Sequence, residues 1–172
     1  MRPHPPHIFV AIGANLPSPR FGQPPASFAA ALELLGAAGP EVRAVSRWYR
    51  SPPLPPSPQP DYINGVIELR LGRSPADLLS LLHEVERAFG RVRGERNAAR
   101  SLDLDLLAYG DAVITAEDGG LEVPHPRLSE RLFVLLPWAD LAPEWRHPVS
   151  GLTVAEMIAA LPAGQKIKVL AH

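Results

Sequence analysis

The stretch of sequence that decides the fold is residues 102–109, which read LDLDLLAY. Apolar and acidic residues alternate in its first half, as they do in a strand with one buried face. Leu102, Leu104 and Leu106 are expected to face the core, while Asp103 and Asp105 share the opposite face. The stretch therefore predicts a core strand that carries two carboxylates on one side.

Three more strands are predicted upstream of this one. A short apolar run at residues 7–13 ends at glycine, and two alternating runs occupy residues 41–50 and 61–71. Between the latter two, residues 51–60 read SPPLPPSPQP. Proline lacks the amide donor that helices and central strands need, so this stretch is expected to be a semi-rigid loop.

Two helices are predicted between the strands. Residues 24–36 place apolar side chains at helical spacing and end at glycine. Residues 74–90 begin with a serine cap followed by proline and end at Gly90. The order β-α-β-β-α-β predicts an α+β fold with a ferredoxin-like core, in which helices cover one face of an antiparallel sheet.

The rest of the chain predicts C-terminal additions to this core. A loop is expected at residues 123–127, helices near 129–138 and 153–161, and a last strand at 166–170. We find no internal repeat and no boundary, so residues 1–172 are expected to form a single domain.

Composition restricts the class of protein. The net charge of −1 gives no bulk field that would attract nucleic acid or an anionic membrane. The absence of cysteine excludes disulfides and thiolate metal sites. Neither a signal peptide nor a membrane span is apparent. We expect a cytoplasmic protein, a monomer, with no nucleic-acid or membrane partner.

Asp103 and Asp105 are the sharpest candidates for chemistry. Residues two apart in a strand have Cα atoms about 6.6–6.8 Å apart on one face. Two carboxylates so placed suit a pair of hard cations about 3.5–4 Å apart. The alternative is a solvated strand face with two acids that have no function.

Four arginines immediately precede the acids: Arg91, Arg93, Arg96 and Arg100. Guanidinium groups bind phosphate oxygens with two hydrogen bonds, so the mixed charges suit a polyphosphate and its metal. The alternative is that the arginines and acids simply form surface ion pairs of little consequence. Neither G-x-x-x-x-G-K-[ST] nor G-x-G-x-x-G occurs, so arginines would have to hold the phosphates.

Two other places hold candidate binding residues. His125 lies between two prolines with arginines close by, which suits a phosphate contact, although a loop histidine is more often a surface residue. Asn64 is two residues from Tyr62 and shares its strand face. An amide beside an aromatic ring can pair with a flat heterocycle, or it can be a satisfied strand asparagine.

The chain resembles the hydroxymethyldihydropterin pyrophosphokinase family of folate biosynthesis in the segments that hold these candidate residues. The resemblance runs from the first strand to the PHP loop. It is carried by AIGANL at 11–16, SRWYRSPPL at 46–54, QPDYINGVIELR at 59–70, E-x-x-x-G-R-x-R at 86–93, RSLDLD at 100–105 and PHPRLSERLFVLLP at 124–137. Each segment alone is weak, and all of them in order are specific.

The resemblance implies a ferredoxin-like fold and transfer of diphosphate from ATP to a dihydropterin. Asp103 and Asp105 would bind two Mg²⁺ ions. The residues implied for ATP are His83, Arg91, Arg100, His125 and Arg131, with Arg91 and Arg100 also acting on the transition state. The residues implied for the pterin are Ser51, Leu54, Tyr62, Asn64 and Phe133.

Two other functions fit parts of the sequence. A nucleotidyltransferase could also use the D-x-D pair, and it would release pyrophosphate instead of AMP. A non-catalytic ferredoxin-like binding module would need none of the acids and arginines together, and would not bind ATP with magnesium.

Overall fold

The computed structural model describes residues 4–90, 100–117 and 120–170. Its strands are β1 (Ile8–Ala14), β2 (Glu41–Val45), β3 (Tyr49–Ser51), β4 (Tyr62–Arg70), β5 (Asp103–Tyr109) and β6 (Lys168–Val169). Its α-helices are α1 (Ala26–Ala37), α2 (Pro75–Ala88), α3 (Leu132–Leu141) and α4 (Val154–Ala160), and a 3₁₀ turn, Leu128–Glu130, precedes α3.

The strands form one antiparallel sheet in the order β5-β1-β4-β3-β6, and β2 also pairs with β4. β1 and β4 thus form the central pair. β5, the last strand of the β-α-β-β-α-β core, pairs with β1, whereas β2 and β3 pair with β4. The predicted α+β, ferredoxin-like fold is confirmed.

Apolar side chains cover both faces of the sheet. On one face, β1 and β5 pack against α1 and α2, and Leu102, Leu104 and Leu106 are 0%, 2% and 4% exposed, as predicted. On the other face, Phe9 and Leu107 pack with α3 and α4 around Trp138, which is fully buried. The sheet is therefore the shared wall of two apolar layers.

The prediction of one strand at residues 41–50 is wrong, because the strand breaks into β2 and β3. At the break, the Ser46 hydroxyl accepts a hydrogen bond from the amide of Val66 on β4 (2.9 Å). Trp48 packs on Phe28 of α1, with ring centroids 5.0 Å apart. A side chain on Gly65 would overlap the Trp48 ring, so this packing needs glycine there.

The C-terminal elements also differ from the prediction. The helix expected at 129–138 begins only at Leu132 and continues to Leu141, after the 3₁₀ turn. The strand expected at 166–170 shortens to Lys168–Val169. Within the described residues, no helix has the length and apolar character to cross a membrane.

Candidate active site

The two aspartates lie at the start of β5, on the face of the sheet that α3 and α4 cover farther along. Asp103 pairs with Gly13 of β1 and Asp105 with Ala11, while Leu104 between them points into the opposite layer. Arg100 donates from Nη1 to Asp103 Oδ1 at 3.1 Å. The predicted shared face and the nearby arginine are thus both found.

Asn64 extends this face across the sheet. Gly13 pairs with Asp103 on one side and with Asn64 on the other. A Cβ on Gly13 would overlap Asn64 Oδ1, so the Asn64 amide lies across the glycine. Its carboxamide is consequently on the same side of the sheet as the carboxylates.

His125 is fixed against β5 by its backbone. Its amide donates to Leu107 O (2.9 Å), and its Nδ1 accepts a hydrogen bond from the amide of Arg127 (3.1 Å). A neutral ring that accepts at Nδ1 carries its proton on Nε2, which makes Nε2 a donor. Burial, with help from the Arg131 charge, lowers the pKa of His125 from 6.5 to about 4, so the ring is neutral at pH 7.

Arg131 places a cation on the same side as the acids. Burial lowers its pKa, and the charges of Asp105 and Asp103 oppose that shift. An arginine keeps its proton under such conditions, so a half-buried positive charge faces the two carboxylates. Its guanidinium carbon also lies 5.6 Å from the centre of the Phe133 ring.

Tyr62 lies at the start of β4, within the electrostatic reach of the same charges. Burial raises the pKa of its hydroxyl. The charge of Arg100 lowers this pKa, and the charge of Asp103 raises it. The tyrosine is therefore protonated at neutral pH, and its polar end faces the arginine and the acid.

A cavity of about 400 Å³ opens between the proline-rich loop, the start of α3 and the C-terminal segment. Ser51, Leu54 and Phe133 line it, while Tyr62 and Asn64 are outside its lining. Its other lining residues are Pro52, Pro53, Pro56, Ser57, Gln59, Asp61, Leu132, Gly164, Gln165, Lys166 and Ile167. Its lining is mostly apolar with several polar side chains, which suits a small, partly polar molecule.

Two predicted ATP residues are not among those just described. Arg91 lies outside the described residues, as do Arg93 and Arg96. His83 is half-buried on α2, the helix on the opposite face of the sheet from the aspartates. Its contact with ATP stays a prediction.

Asn15 is a residue that sequence reasoning did not single out. It is 6% exposed, and its Oδ1 accepts from the amide of Arg100 (2.8 Å). Its Nδ2 donates to Gln59 Oε1 (3.0 Å) and Pro60 O (3.3 Å), so it joins the proline-rich loop to Arg100. A polar residue directly after an apolar strand was the available signal.

Sequence reasoning assigned no role to Glu86, which appeared only as the first residue of E-x-x-x-G-R-x-R. It is 4% exposed, and its carboxylate accepts from the amide of Leu104 (3.0 Å). It falls on the apolar face of α2 beside Val85, where a charge is unexpected. That mismatch was the signal.

The donors present fit a hard divalent cation. Asp103 and Asp105 offer carboxylate oxygens on one face, the ligand type that Mg²⁺ prefers. Across residues 4–90, 100–117 and 120–170, no group of three His, Cys, Asp or Glu side chains could hold a metal. Magnesium typically keeps one or two carboxylates and takes its other ligands from water and substrate phosphates, so this small donor set suits it.

Comparison with known proteins points to one enzyme family. The sequence profile of the family described as 7,8-dihydro-6-hydroxymethylpterin-pyrophosphokinase matches residues 9–143. A 2-amino-4-hydroxy-6-hydroxymethyldihydropteridine pyrophosphokinase of Synechocystis is 48% identical over 126 residues, covering 73% of this chain and 63% of that protein. The enzyme of the same name from Pseudomonas aeruginosa is 42% identical over 157 residues, covering 90% and 91%.

Solved structures are similar in fold. An HPPK-DHPS in complex with substrates superposes with a TM-score of 0.65 at 11% identity, covering 92% of this chain and 43% of that one. A Plasmodium falciparum HPPK-DHPS variant with pteroate gives a TM-score of 0.60 at 12% identity, with 92% and 43% covered. The chain thus spans less than half of these solved chains, and the likeness shows the fold.

Proposed function

The chain belongs to the 7,8-dihydro-6-hydroxymethylpterin-pyrophosphokinase family, and on that premise we propose that it transfers a diphosphate group from ATP to the hydroxymethyl group of 6-hydroxymethyl-7,8-dihydropterin. The products are AMP and the pterin diphosphate, an intermediate of folate biosynthesis. The observation that carries the proposal is the pair of carboxylates on β5, faced by Arg100 and Arg131, with a cavity of about 400 Å³ nearby.

Asp103 and Asp105 are the proposed ligands of two Mg²⁺ ions. When bound, Mg²⁺ neutralises phosphate charge and holds the transferred group in place. Arg100 already donates to Asp103 (3.1 Å), so its guanidinium is poised beside any phosphate held there. Arg91, which follows α2, is proposed to act with Arg100 on the charge that develops during transfer.

Three further residues are proposed to contact ATP. We assign to His125 a hydrogen bond from Nε2 to a phosphate oxygen, since its Nδ1 already accepts from Arg127. Arg131 supplies a half-buried positive charge to the same phosphates. His83 is the proposed contact on α2.

The pterin is proposed to lie between the cavity beside Phe133 and the start of β4, where Tyr62 and Asn64 stand outside the cavity lining. Ser51 and Leu54 line the walls of the cavity, and Tyr62 is proposed to cover the other side of the ring system. The Asn64 amide would pair with the polar edge of the pterin. The hydroxymethyl arm is proposed to point toward the aspartates, which share the face of Asn64 with Gly13 between them.

The chemistry requires alignment more than covalent assistance from the chain. The hydroxymethyl oxygen forms a bond to the β-phosphorus of ATP. The bond between that phosphorus and the oxygen leading to the α-phosphorus breaks, AMP leaves, and the hydroxyl proton passes to solvent. Arg100, Arg131 and His125 hold the triphosphate in line and offset its charge. A monomeric state and a cytoplasmic location stay predictions.

The test is incubation with magnesium, ATP and 6-hydroxymethyl-7,8-dihydropterin, followed by mass analysis of products. We expect AMP and diphosphorylated pterin in equal amounts. Free pyrophosphate with a nucleotidylated product would instead identify a nucleotidyltransferase. Failure to bind magnesium and ATP at all would favour the binding module.

The metal assignment is tested by Asp103→Asn and Asp105→Asn. Each is expected to lower turnover by a factor of roughly 10² or more, because a carboxylate ligand is lost from the phosphate-binding centre. Asp111→Asn is the matched control, since Asp111 is exposed in the turn after β5. Unchanged turnover in either site variant, with the fold intact by circular dichroism, would refute the assignment.

A further inference from the structure

A glutamine beyond the residues matched by the family profile contacts the candidate site. Gln165 lies in the segment between α4 and β6, whereas the profile ends at residue 143. Its Nε2 donates to Glu130 O (3.0 Å), and its Oε1 accepts from the amide of Leu132 (3.0 Å). One side-chain amide thus pairs with the backbone on both sides of Arg131.

These two bonds satisfy groups that the local backbone leaves open. Leu132 is the first residue of α3, and the first amides of a helix have no partner within the helix. Arg131, the N-cap residue, has an extended backbone and caps no amide with its side chain in the described part of the chain. Gln165 therefore acts as a cap supplied from a distant segment.

The segment that carries Gln165 is itself anchored to the opposite wall of the cavity. Lys168 and Val169 pair with Arg50 and Tyr49 of β3, and the amide of Leu170 donates to Trp48 O (2.8 Å). The next residue of β3, Ser51, lines the cavity, as do Gln165 and Leu132. The segment consequently connects the β3 wall with the start of α3.

We propose that Gln165 is a positioning residue: its amide fixes the backbone of Arg131, and through it the guanidinium that faces Asp105 and the ring of Phe133. This inference rests on the proposed function, in which Arg131 holds phosphate and Phe133 contacts the pterin. Gln165 acts through these two residues and does not itself touch the reacting atoms.

The principal variant is Gln165→Met, which keeps the length of the side chain and loses both hydrogen bonds. The value of kcat/KM for ATP is expected to fall about tenfold, the effect of roughly 1.4 kcal/mol. Gln165→Glu keeps the acceptor for the Leu132 amide and loses the donor. In this variant kcat/KM for ATP should fall less than in Gln165→Met. Gln165→Glu also replaces Gln165→Met as the test variant if Gln165→Met does not fold. Lys168→Gln, an exposed change on β6, is the control and should match wild type.

A double-mutant cycle separates positioning from general structural support. In an Arg131→Ala background, Gln165→Met should change kcat/KM for ATP by less than about twofold, because the group that Gln165 positions is gone. If the two losses multiply, Gln165 does not act through Arg131, and the inference is refuted.

Amide exchange of Leu132 gives a readout that does not depend on activity. We expect it to be faster in Gln165→Met than in wild type and unchanged in Lys168→Gln; equal exchange in all three would overturn the inference. An active wild-type chain whose Gln165→Met variant keeps full activity would refute this inference alone. A wild-type chain that forms no AMP would refute the proposed function, and this inference with it.

Discussion

Gly13 shows how one residue without a side chain arranges the candidate site. It pairs with Asp103 and Asn64 at once, and a Cβ there would overlap the oxygen of the Asn64 amide. The overlap falls on the end of a side chain that can rotate, so a methyl group should displace the amide and leave the sheet in place. This makes Gly13 a functional constraint that is separable from folding.

We predict that Gly13→Ala raises KM for the dihydropterin about tenfold, the loss of one good hydrogen bond to the ligand. Steady-state kinetics at saturating ATP would measure it. Gly36→Ala is the control, because Gly36 is exposed near the end of α1 with open space around its Cα. That change should leave KM unaltered and add about 0.5–1 kcal/mol of stability. An unaltered KM in Gly13→Ala would argue against Asn64 as the pterin contact.

His125 should make the ligand-free protein less stable in acid. Its pKa is about 4 in the folded state, whereas the ordinary pKa of a histidine, expected in the unfolded chain, is 6.5. Between these values the unfolded chain binds a proton that the folded chain does not, so stability falls as the pH drops from 6.5 toward 4. The slope from this one group is at most about 1.4 kcal/mol per pH unit.

The measurement is urea unfolding at several pH values for wild type and His125→Gln. The glutamine cannot ionise. As the pH falls below 6.5, the free energy of unfolding should therefore fall less in the variant than in wild type. A difference that is constant from pH 7 to 4.5 would mean that His125 titrates normally in the folded protein.

At the scale of elements, the sequence predicts the helices and strands whose signal comes from neighbouring residues. The alternation at 102–109 and the Ser74 cap, which accepts from the amide of Asp77 (3.1 Å), both need only neighbouring residues. The break at Ser46 depends on β4, and the bonds of Asn15 and Gln165 reach residues more than 30 positions away. Such contacts leave no periodic signal, so the partners of these side chains could not be foreseen.

The contact between α3 and the β2–β3 break shows this dependence on distant partners. Asp140 of α3 accepts from Arg47 Nη2 (2.8 Å) and from the Tyr49 hydroxyl (2.9 Å). Burial alone would raise the pKa of Asp140, but the hydrogen bonds from Arg47 and Tyr49 lower it below its usual value. The carboxylate therefore stays charged at neutral pH and holds the helix to the sheet.

We predict that Asp140→Ala lowers the free energy of unfolding by about 2 kcal/mol, because the hydrogen bonds that Arg47 and Tyr49 donate to this carboxylate are lost. Urea denaturation at pH 7 would measure it. Glu41→Gln removes an exposed pair, Glu41 with Arg43, and should cost under about 1 kcal/mol. Equal effects of the two changes would contradict a structural role for Asp140.

At the scale of the whole molecule, the two apolar layers cannot separate without exposing the sheet between them. One layer packs against α1 and α2 and the other against α3 and α4, and β1 contributes alternate side chains to both. The candidate site lies on the side of the sheet that α3 and α4 cover. Arg100 and Asp103 lie at the entrance to β5, while Arg131 and Phe133 belong to the start of α3.

This shared sheet predicts that residues 1–172 unfold as one cooperative unit, as expected of a single domain. The three tryptophans allow a direct test, because Trp48 packs on the first layer and Trp138 and Trp145 on the second. In Trp48→Phe, fluorescence reports the second layer, and in the double variant Trp138→Phe, Trp145→Phe it reports the first. In each variant the urea midpoint by fluorescence should coincide with the midpoint by circular dichroism. A fluorescence midpoint that precedes the circular dichroism midpoint would mean that one layer opens alone, and that the chain behaves as two units joined at the sheet.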